Sequence, residues 1–336
     1  MIIGYMRNQK KPTFSAKLTA KLCKYHGIDL IYIRPKDVDI EKGKVKGKLL
    51  VNNEWISVQK EIPPFIDIFP SCFKEKNKKI TDYLAEKTFL SDNRTNRLPK
   101  NKLQKKLEND SEFSHLVIPT ERARKYKDIK EFSRNFSEIV LKPLKGGRGK
   151  GIYILYKDKN SYILGYQKEE KRLSKKGLKI FFENHLKNKG YIMQKHVQSR
   201  TSQGDPFDCR IHLEKNGEGK WQVAKIFIRI GIGQKVISNV NQGGGISEVE
   251  PFLQANFENK HEEIIHKLKL LADTLPYKIE QLRATHIMSL GLDVGIDKNG
   301  HLYLFESNGS PTTKTLEAEV AMLRSEYYTY VLDNLI

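Results

Sequence analysis

Residues 290–308, LGLDVGIDKNGHLYLFESN, constrain this chain more than any other stretch of its 336 residues. Apolar residues alternate on either side of a turn at 297–300, so the segment reads as two antiparallel strands, 292–296 and 302–306. Asp293 stands on the first strand and Glu306, thirteen residues on, stands on the second, where the two carboxylates face each other. Asn308 projects to the same face as Glu306, because a strand repeats every two residues. Two carboxylates and a carboxamide form a hard-oxygen set that suits magnesium bridging to phosphate. The alternative is a surface hairpin with unrelated polar residues. The flanking Leu292, Val294, Leu304 and Phe305 argue against it.

Ahead of that hairpin the texture of the chain changes twice. Residues 2–6 and 28–33 read as strands around a helix at 14–26. The apolar positions of that helix, Phe14, Leu18, Leu22 and Tyr25, recur at helical spacing, and Gly27 stops it. Short β segments follow at 43–47 and 52–53, then a strand-like run at 65–69 behind Pro63 and Pro64. These elements make a small α/β domain at 1–85. A polar helical segment spans 86–112, and from His115 a new unit begins, with a helix near 128–136 and a strand at 138–142. The loop KGGRGKG at 145–151 then leads into an apolar run at 152–156. Strand, glycine loop, strand is hairpin grammar, unlike the strand–loop–helix of a phosphate loop, and alone it reads as a plain glycine turn. Residues 181–188 read as helix, 191–197 (YIMQKHV) as a strand, and 208–213 with 221–230 as an antiparallel pair. A Gly/Asn loop follows at 239–245. An amphipathic helix at 261–275 is stopped by Pro276, a second helix runs about 277–290, and a last one closes the chain at 316–335. The class is α+β, with domains at 1–85, 86–190 and 191–336.

Composition bounds what such a chain does. Hydrophobic residues make up 38% of it, enough for a core, and no apolar run nears the roughly 20 residues of a membrane span. The N-terminus, MIIGYMRNQKK, lacks the apolar core of a secretory signal. Cys23, Cys72 and Cys209 share no C-x-x-C spacing, which speaks against a zinc ribbon and for a reducing, cytoplasmic compartment. The formal charge is +20, yet only 14 of the 60 basic residues are arginine. Lysine is a solvated point charge, whereas arginine reads base edges and clamps phosphates. The basic clusters at 74–79, 100–106, 122–127 and 168–179 are dispersed, with no nucleic-acid-binding pattern among them. The surplus is either a solvated coat or a field that draws an acidic partner. His212, His286 and His301 lack metal spacing and read as hydrogen-bonded structural residues. Tyr5, Tyr25, Tyr32 and Phe65 read as core or pocket wall.

Taken in chain order, a further series stands out: Lys142 before the glycine hairpin, the YIMQ strand, Arg229, Asn239 before the glycines at 243–245, then Asp293, Glu306 and Asn308. Over about residues 100–312 this series resembles the ATP-grasp superfamily. Its Asp/Glu/Asn ending is similar to that of D-alanine–D-alanine ligases. The DCR…R…SNV-x-QGGG order is similar to the YheC/YheD group of endospore coat-associated ATP-grasp proteins and, more distantly, to the ribosomal-protein glutamate ligase. The resemblance implies an ATP-grasp fold, an N-terminal α/β domain followed by two α+β subdomains clasping ATP, with ATP and magnesium as cofactors.

Carried over residue by residue, the resemblance makes Lys142 the ligand of the α- and β-phosphates, with Lys102 its weaker partner. Gly146, Gly147 and Gly149 belong to a lid over the phosphates. Gln194, Lys195 and Val197 sit at the adenine. Arg229 stabilises the γ-phosphate or an acyl-phosphate, Asn239 stands beside the transferred group, and Asp208 and Arg210 face substrate. Asp293, Glu306 and Asn308 are the magnesium ligands. Two places depart from the pattern: Gln194 stands where many relatives carry Glu, and Ser307 with Gly309-Ser310-Pro311 stands where relatives often carry Val or Ile and then N-x-x-P-G. The implied activity joins a carboxylate to an amine through an acyl-phosphate, adding an amino acid to a peptide or protein. A carboxylate substrate and an amine acceptor are the partners, an acidic one being favoured by the charge, with no membrane or nucleic acid. The alternative is a coat-associated structural protein with this fold and little turnover.

Overall fold

The computed structural model describes residues 1–94, 98, 100–144, 151–167, 169–232 and 244–336. At the N-terminus, β1 (Ile2–Met6), α1 (Phe14–Tyr25) and β2 (Asp29–Ile33) form a parallel pair with a helical crossover. Strands β3 (Val38–Asp39), β4 (Lys44–Val51) and β5 (Glu54–Glu61) extend the sheet antiparallel beyond β2. On the other side β6 (Phe65–Ile68), α2 (Lys78–Lys87) and β7 (Phe89–Leu90) continue it in parallel. The strand order is β3-β4-β2-β1-β6-β7, with β5 on β4. The chain therefore leaves β1 toward β2 and re-enters on the opposite side at β6. The carboxyl ends of β1, β6 and β7 open at that reversal.

Two expectations for this region are corrected. Asn52 and Asn53 are a turn and not a strand: their φ angles of +46° and +69° give the two-residue turn whose twist suits a β-hairpin, here between β4 and β5. In α1 the buried face is Ala16, Thr19, Ala20 and Cys23, while Phe14 and Tyr25 are 70% and 86% exposed. The helix lies against both β2 and the helix that closes the chain, and small side chains permit that close approach. Tyr5, Tyr32 and Phe65 are core, as expected; Tyr25 is not.

Within 86–112, helix α3 (Lys100–Glu108) is the helical part that the structure adds beyond α2. A second sheet follows, from β8 (Thr120–Ala123), β9 (Glu138–Pro143), β10 (Tyr153–Asp158), β11 (Ser161–Tyr166), β12 (Glu169–Ser174) and β13 (Tyr191–Lys195). Its order is β12-β11-β10-β9-β13-β8, all antiparallel, with α4 (Tyr126–Asn135) and α5 (Lys175–Phe181) packed on it. The hairpin reading of 138–156 holds, since Leu141 pairs with Tyr153. Strand β12 went unread because five of its six side chains face solvent, which leaves no two-residue period to see.

The third sheet has the order β16-β15-β14-β17-β18, from β14 (Phe207–Lys215), β15 (Trp221–Ile230), β16 (Gly245–Ser247), β17 (Ser289–Ile296) and β18 (Leu302–Asn308). Helices α6 (Val249–Phe257) and α7 (His261–Arg283) cover one face. Helix α7 runs straight through Pro276, contrary to the expected stop. Ile264, Leu268, Leu271, Leu275, Pro276 and Ile279 are one buried stripe, and burying it outweighs the backbone hydrogen bond that proline forfeits. The helix ends at Ala284 in the left-handed conformation, which frees 289–296 to be strand. Helix α8 (Glu317–Asn334) lies on the other face and packs Tyr327, Tyr328 and Val331 among Ile3, Tyr5 and Phe65 of the first sheet. Among the described residues no helix is long and apolar enough to cross a membrane.

Candidate active site

Strand β14 is buried along its first eight residues, yet its sequence, FDCRIHLEK, alternates. Cys209, Ile211 and Leu213 enter the core under α6 and α7. Asp208, Arg210, His212 and Glu214 take the opposite face, all of them buried. Buried charges persist only where they are paired, and the pairing partners come from β14 itself, from β15 and β17, and from helix α8.

Arg210 stands opposite Asp293, and Asp293 stands opposite Glu306, so the three share one rung across β14, β17 and β18. Arg229 is on the neighbouring rung, opposite Asp208. Arg210 Nε donates to Asp293 Oδ1 at 2.5 Å, Arg229 Nη2 lies 3.0 Å from Asp293 Oδ2, and Arg229 Nε donates to Asp208 Oδ1 at 2.7 Å. Burial alone would raise the Asp293 carboxyl; Arg229 and Arg210 override it and hold the group below the usual carboxylate range. Burial would likewise depress Arg229, but Asp208 and Asp293 hold its guanidinium above its ordinary value.

The Asp293–Glu306 pairing depends on an irregularity. From Ile296↔Leu302 to Val294↔Leu304 the hairpin is regular, and one more step would set Asp293 against Phe305. A bulge instead leaves Phe305 without a partner and brings Glu306 to Asp293. Leu304 thereby stays in the core while Glu306 joins the polar face. The displaced Phe305 ring lies on Gly295, where a Cβ would be 2.1 Å from the ring. Lys142, at the end of β9, holds its Nζ 5.6 Å from the centroid of that same ring, which brings the second sheet's lysine to the third sheet's acidic edge. Gln104 of α3 donates to Leu304 O at 2.8 Å beside the bulge.

The other expected residues fall as follows. Lys142 Nζ donates to Gln194 Oε1 at 2.5 Å, and Gln194 Nε2 donates to Thr120 Oγ1 at 3.0 Å, so Gln194 is engaged at both ends of its amide. Lys195 is exposed and Val197 buried just beyond it. Lys102 is exposed on α3. Asn308 is half-buried opposite Gly291, where a Cβ would press to 2.8 Å from Pro311. Gly146, Gly147, Gly149 and Asn239 lie outside the described residues. The three histidines are hydrogen-bonded, as expected: His212 to Glu214 at 2.9 Å, His286 to Tyr327 at 3.2 Å and His301 to Asp297 at 3.3 Å.

Sequence reasoning missed a second buried cluster on the same face of β14. Glu214 accepts from Ser289, His212 and Arg324, and Arg324 Nη1 lies 3.6 Å from Asp67 of β6. Asp67 in turn accepts from Arg7 and Tyr328. The alternation DCRIHLE was the available signal, since a strand buried on both faces that still alternates must be pairing its charges.

The donor set at Asp293, Glu306 and Asn308 fits a hard divalent cation. Two carboxylates meet at one rung with a carboxamide two residues on, and among the described residues there is no group of three His, Cys, Asp or Glu that would make a protein-only cage. An ion there completes its shell from water and phosphate. Guanidinium and ammonium groups beside it suit an anion. The arrangement can neutralise a polyphosphate from two sides.

Known proteins match this chain in sequence and in fold. The family model described as YheC/D like ATP-grasp matches residues 90–333. The endospore coat-associated protein YheD of Bacillus subtilis (strain 168) is 25% identical over 289 residues, covering 82% of this chain. This chain spans only 62% of the length of YheD. The endospore coat-associated protein YheC of the same organism is 23% identical, covering 97% of this chain and 93% of YheC. Among solved structures, the ATP-grasp ligase PsnB complexed with minimal precursor, Mg and ADP superposes with a TM-score of 0.57 at 10% identity, covering 98% of each chain. D-alanyl-alanine synthetase A from Vibrio cholerae O1 biovar eltor str. N16961 does so at 0.56 and 14%, covering 99% of this chain and 98% of its own. The fold is that of ATP-grasp ligases, and the chain belongs to the YheC/D-like ATP-grasp family.

Proposed function

We propose that the protein is an ATP- and magnesium-dependent ligase that joins a carboxylate to an amine through an acyl-phosphate. The observation that carries this reading is the rung Arg210–Asp293–Glu306 with Arg229 beside it, a buried acid flanked by two guanidiniums at the edge that Lys142 reaches. PsnB, solved with Mg and ADP, supports ATP and magnesium as the groups handled there.

In this reading Asp293, Glu306 and Asn308 hold magnesium, which when bound neutralises phosphate charge. Lys142 and Lys102 bind the α- and β-phosphates, and Gly146, Gly147 and Gly149 cover them. The backbone at Lys195 and Val197 lines the adenine with Gln194, whose amide exchanges its bond to Lys142 for one to the base. A substrate carboxylate oxygen attacks the γ-phosphorus, the bond to the β–γ bridging oxygen breaks and ADP leaves. Amine nitrogen then attacks the acyl carbon, phosphate departs with its oxygen, and the surplus amine proton passes to solvent. Arg229, Arg210 and Asn239 stabilise charge on the transferred group; positioning and charge, with no side-chain nucleophile, do the chemistry.

The test is ADP release on mixing the protein with Mg-ATP and pools of amino acids and short peptides. Turnover that falls at least ~100-fold in Asp293→Asn and Glu306→Gln supports the reading. Bound ATP with no ADP from any pool counts against it.

One observation favours a second reading, a coat-associated protein with little turnover. Both Asp293 oxygens are already taken by arginine, and the similar YheC and YheD are named for coat association. Failure to bind Mg-ATP in calorimetry would select it.

A further inference from the structure

Residues 1–28 hold six basic side chains, Arg7, Lys10, Lys11, Lys17, Lys21 and Lys24, and no Asp or Glu. Three of the lysines are on helix α1, which buries Ala16, Thr19, Ala20 and Cys23 against β2 and α8. The other side of the helix faces outward, and at about 100° per residue it divides lengthwise into two ranks. Phe14, Leu18, Leu22 and Tyr25 make an apolar rank, and Lys17, Lys21 and Lys24 run beside it.

The apolar rank lies outside the core. Phe14 is 70% and Tyr25 86% exposed, and Leu18 and Leu22 between them are partly exposed. Tyr25 meets the ring of His26 edge-on, with 5.3 Å between centroids. Single exposed apolar residues are ordinary, but four in one rank along about 16 Å of helix mark a contact surface. Lys10, Lys11, Lys17 and Lys21 have no ion-pair partner among the described residues, while Lys24 has Asp29 at 2.7 Å.

We propose that this side of α1 docks on an anionic lipid bilayer, the apolar rank entering the headgroup boundary and the lysines meeting lipid phosphates. The proposal stands apart from the ligase reading and departs from the expectation of no membrane partner. A helix that lies on a bilayer needs no spanning run. Tyrosine and lysine both suit that depth, since each joins an apolar body to a polar tip. A second copy is the poorer occupant, because a two-fold contact along the rank would set lysines against lysines with no acid on either helix. Duplex nucleic acid would match the lysines and leave the apolar rank in water. The two rings protrude from a ridge, which fits a yielding lipid surface better than a rigid protein face.

The experiment is cosedimentation of the full chain with vesicles of phosphatidylglycerol and phosphatidylcholine in equal parts, and with vesicles of phosphatidylcholine alone. The mixed vesicles are expected to take up at least ~10-fold more protein than the neutral ones. Phe14→Ser with Tyr25→Ser is expected to weaken that uptake by ~10-fold or more, and Lys17→Gln with Lys21→Gln by a similar factor. Lys175→Gln with Lys176→Gln removes the same charge from exposed positions on α5 and should change uptake by less than about twofold. Unchanged thermal unfolding midpoints would show that these variants fold. Should a double variant fail to fold, Phe14→Trp decides: its added emission is expected to move to shorter wavelength on the mixed vesicles, and an unmoved emission overturns the proposal. No uptake by the mixed vesicles also overturns it. Uptake indifferent to the ring substitutions, or equal losses from the α1 and α5 lysine pairs, would make the overall charge the cause and overturn it too. A dimer in light scattering that the ring substitutions abolish would give the rank to a second copy, with the same result.

Discussion

Arg229 bridges Asp208 and Asp293, and its loss would take a guanidinium from two buried carboxylates. Arg229→Met is therefore expected to destabilise the protein by about 3 kcal/mol, read as a shift in the urea midpoint. Asp208→Asn in the same chain should recover part of that loss, because it removes one of the two charges that Arg229 neutralises. At this scale the sequence was legible where chemistry alone selects a residue. Asp293, Glu306 and Asn308 stand out as hard-oxygen donors among apolar neighbours. The pairing of Asp293 with Arg210 was not legible, since those residues are 83 positions apart and meet only through the register of two strands.

The bulge in β18 is the element on which the acidic edge depends. Gly295→Ala would drive a methyl group into the Phe305 ring and is expected to cost about 1–3 kcal/mol. Phe305→Ala should relieve most of that cost, so a double-mutant cycle in thermal unfolding would show strong coupling between the two sites. Additive effects would mean that the ring does not rest on Gly295. Helix α1 makes the complementary case. Ala20→Leu, on its buried small-residue face, is expected to cost about 1–3 kcal/mol, while Phe14→Ser stays within about 0.5 kcal/mol. Helical periodicity located this helix and misassigned its face. Four apolar side chains at the right spacing mark a stripe, but only the neighbours decide whether the stripe or the small residues beside it can come close enough to pack.

At the scale of the whole molecule, α8 joins the first and third sheets through Arg324, which pairs with Asp67 on one side and Glu214 on the other. Burial alone would raise both carboxyls, yet Arg7 and Arg324 hold Asp67 low and Arg324 and His212 hold Glu214 low. Their contribution is present above the ordinary carboxylate range and is lost as pH falls through the lower folded values. His286, between Phe89 and Tyr327, acts in a higher window. Burial, with Lys215 and Arg283 nearby, pushes it from 6.5 down to about 4. The unfolded chain takes up that proton first, so stability is expected to fall by about 2–3 kcal/mol between pH 6.5 and 4. His286→Phe should flatten that stretch of the curve and leave the steeper loss below it. The +20 charge belongs to this scale as well. If it draws an acidic substrate, KM for that substrate rises with salt while kcat holds; a KM indifferent to salt makes the charge a solvated coat.

By itself the sequence determined the class of the fold, the hairpin with its acids, and the order of basic and acidic residues by which the family is recognised. Those features are local: alternation, turn residues and spacing act over a few positions, and chemistry narrows which residues can hold magnesium or phosphate. Tertiary structure decided which face of α1 is buried and that α7 passes through Pro276. It also decided that a bulge turns Glu306 to Asp293, and that Arg283 reaches Asp92 from far along the chain. Each of these is settled by what the rest of the molecule places alongside, because the free energy of burying a stripe or matching a charge depends on partners far away in the chain.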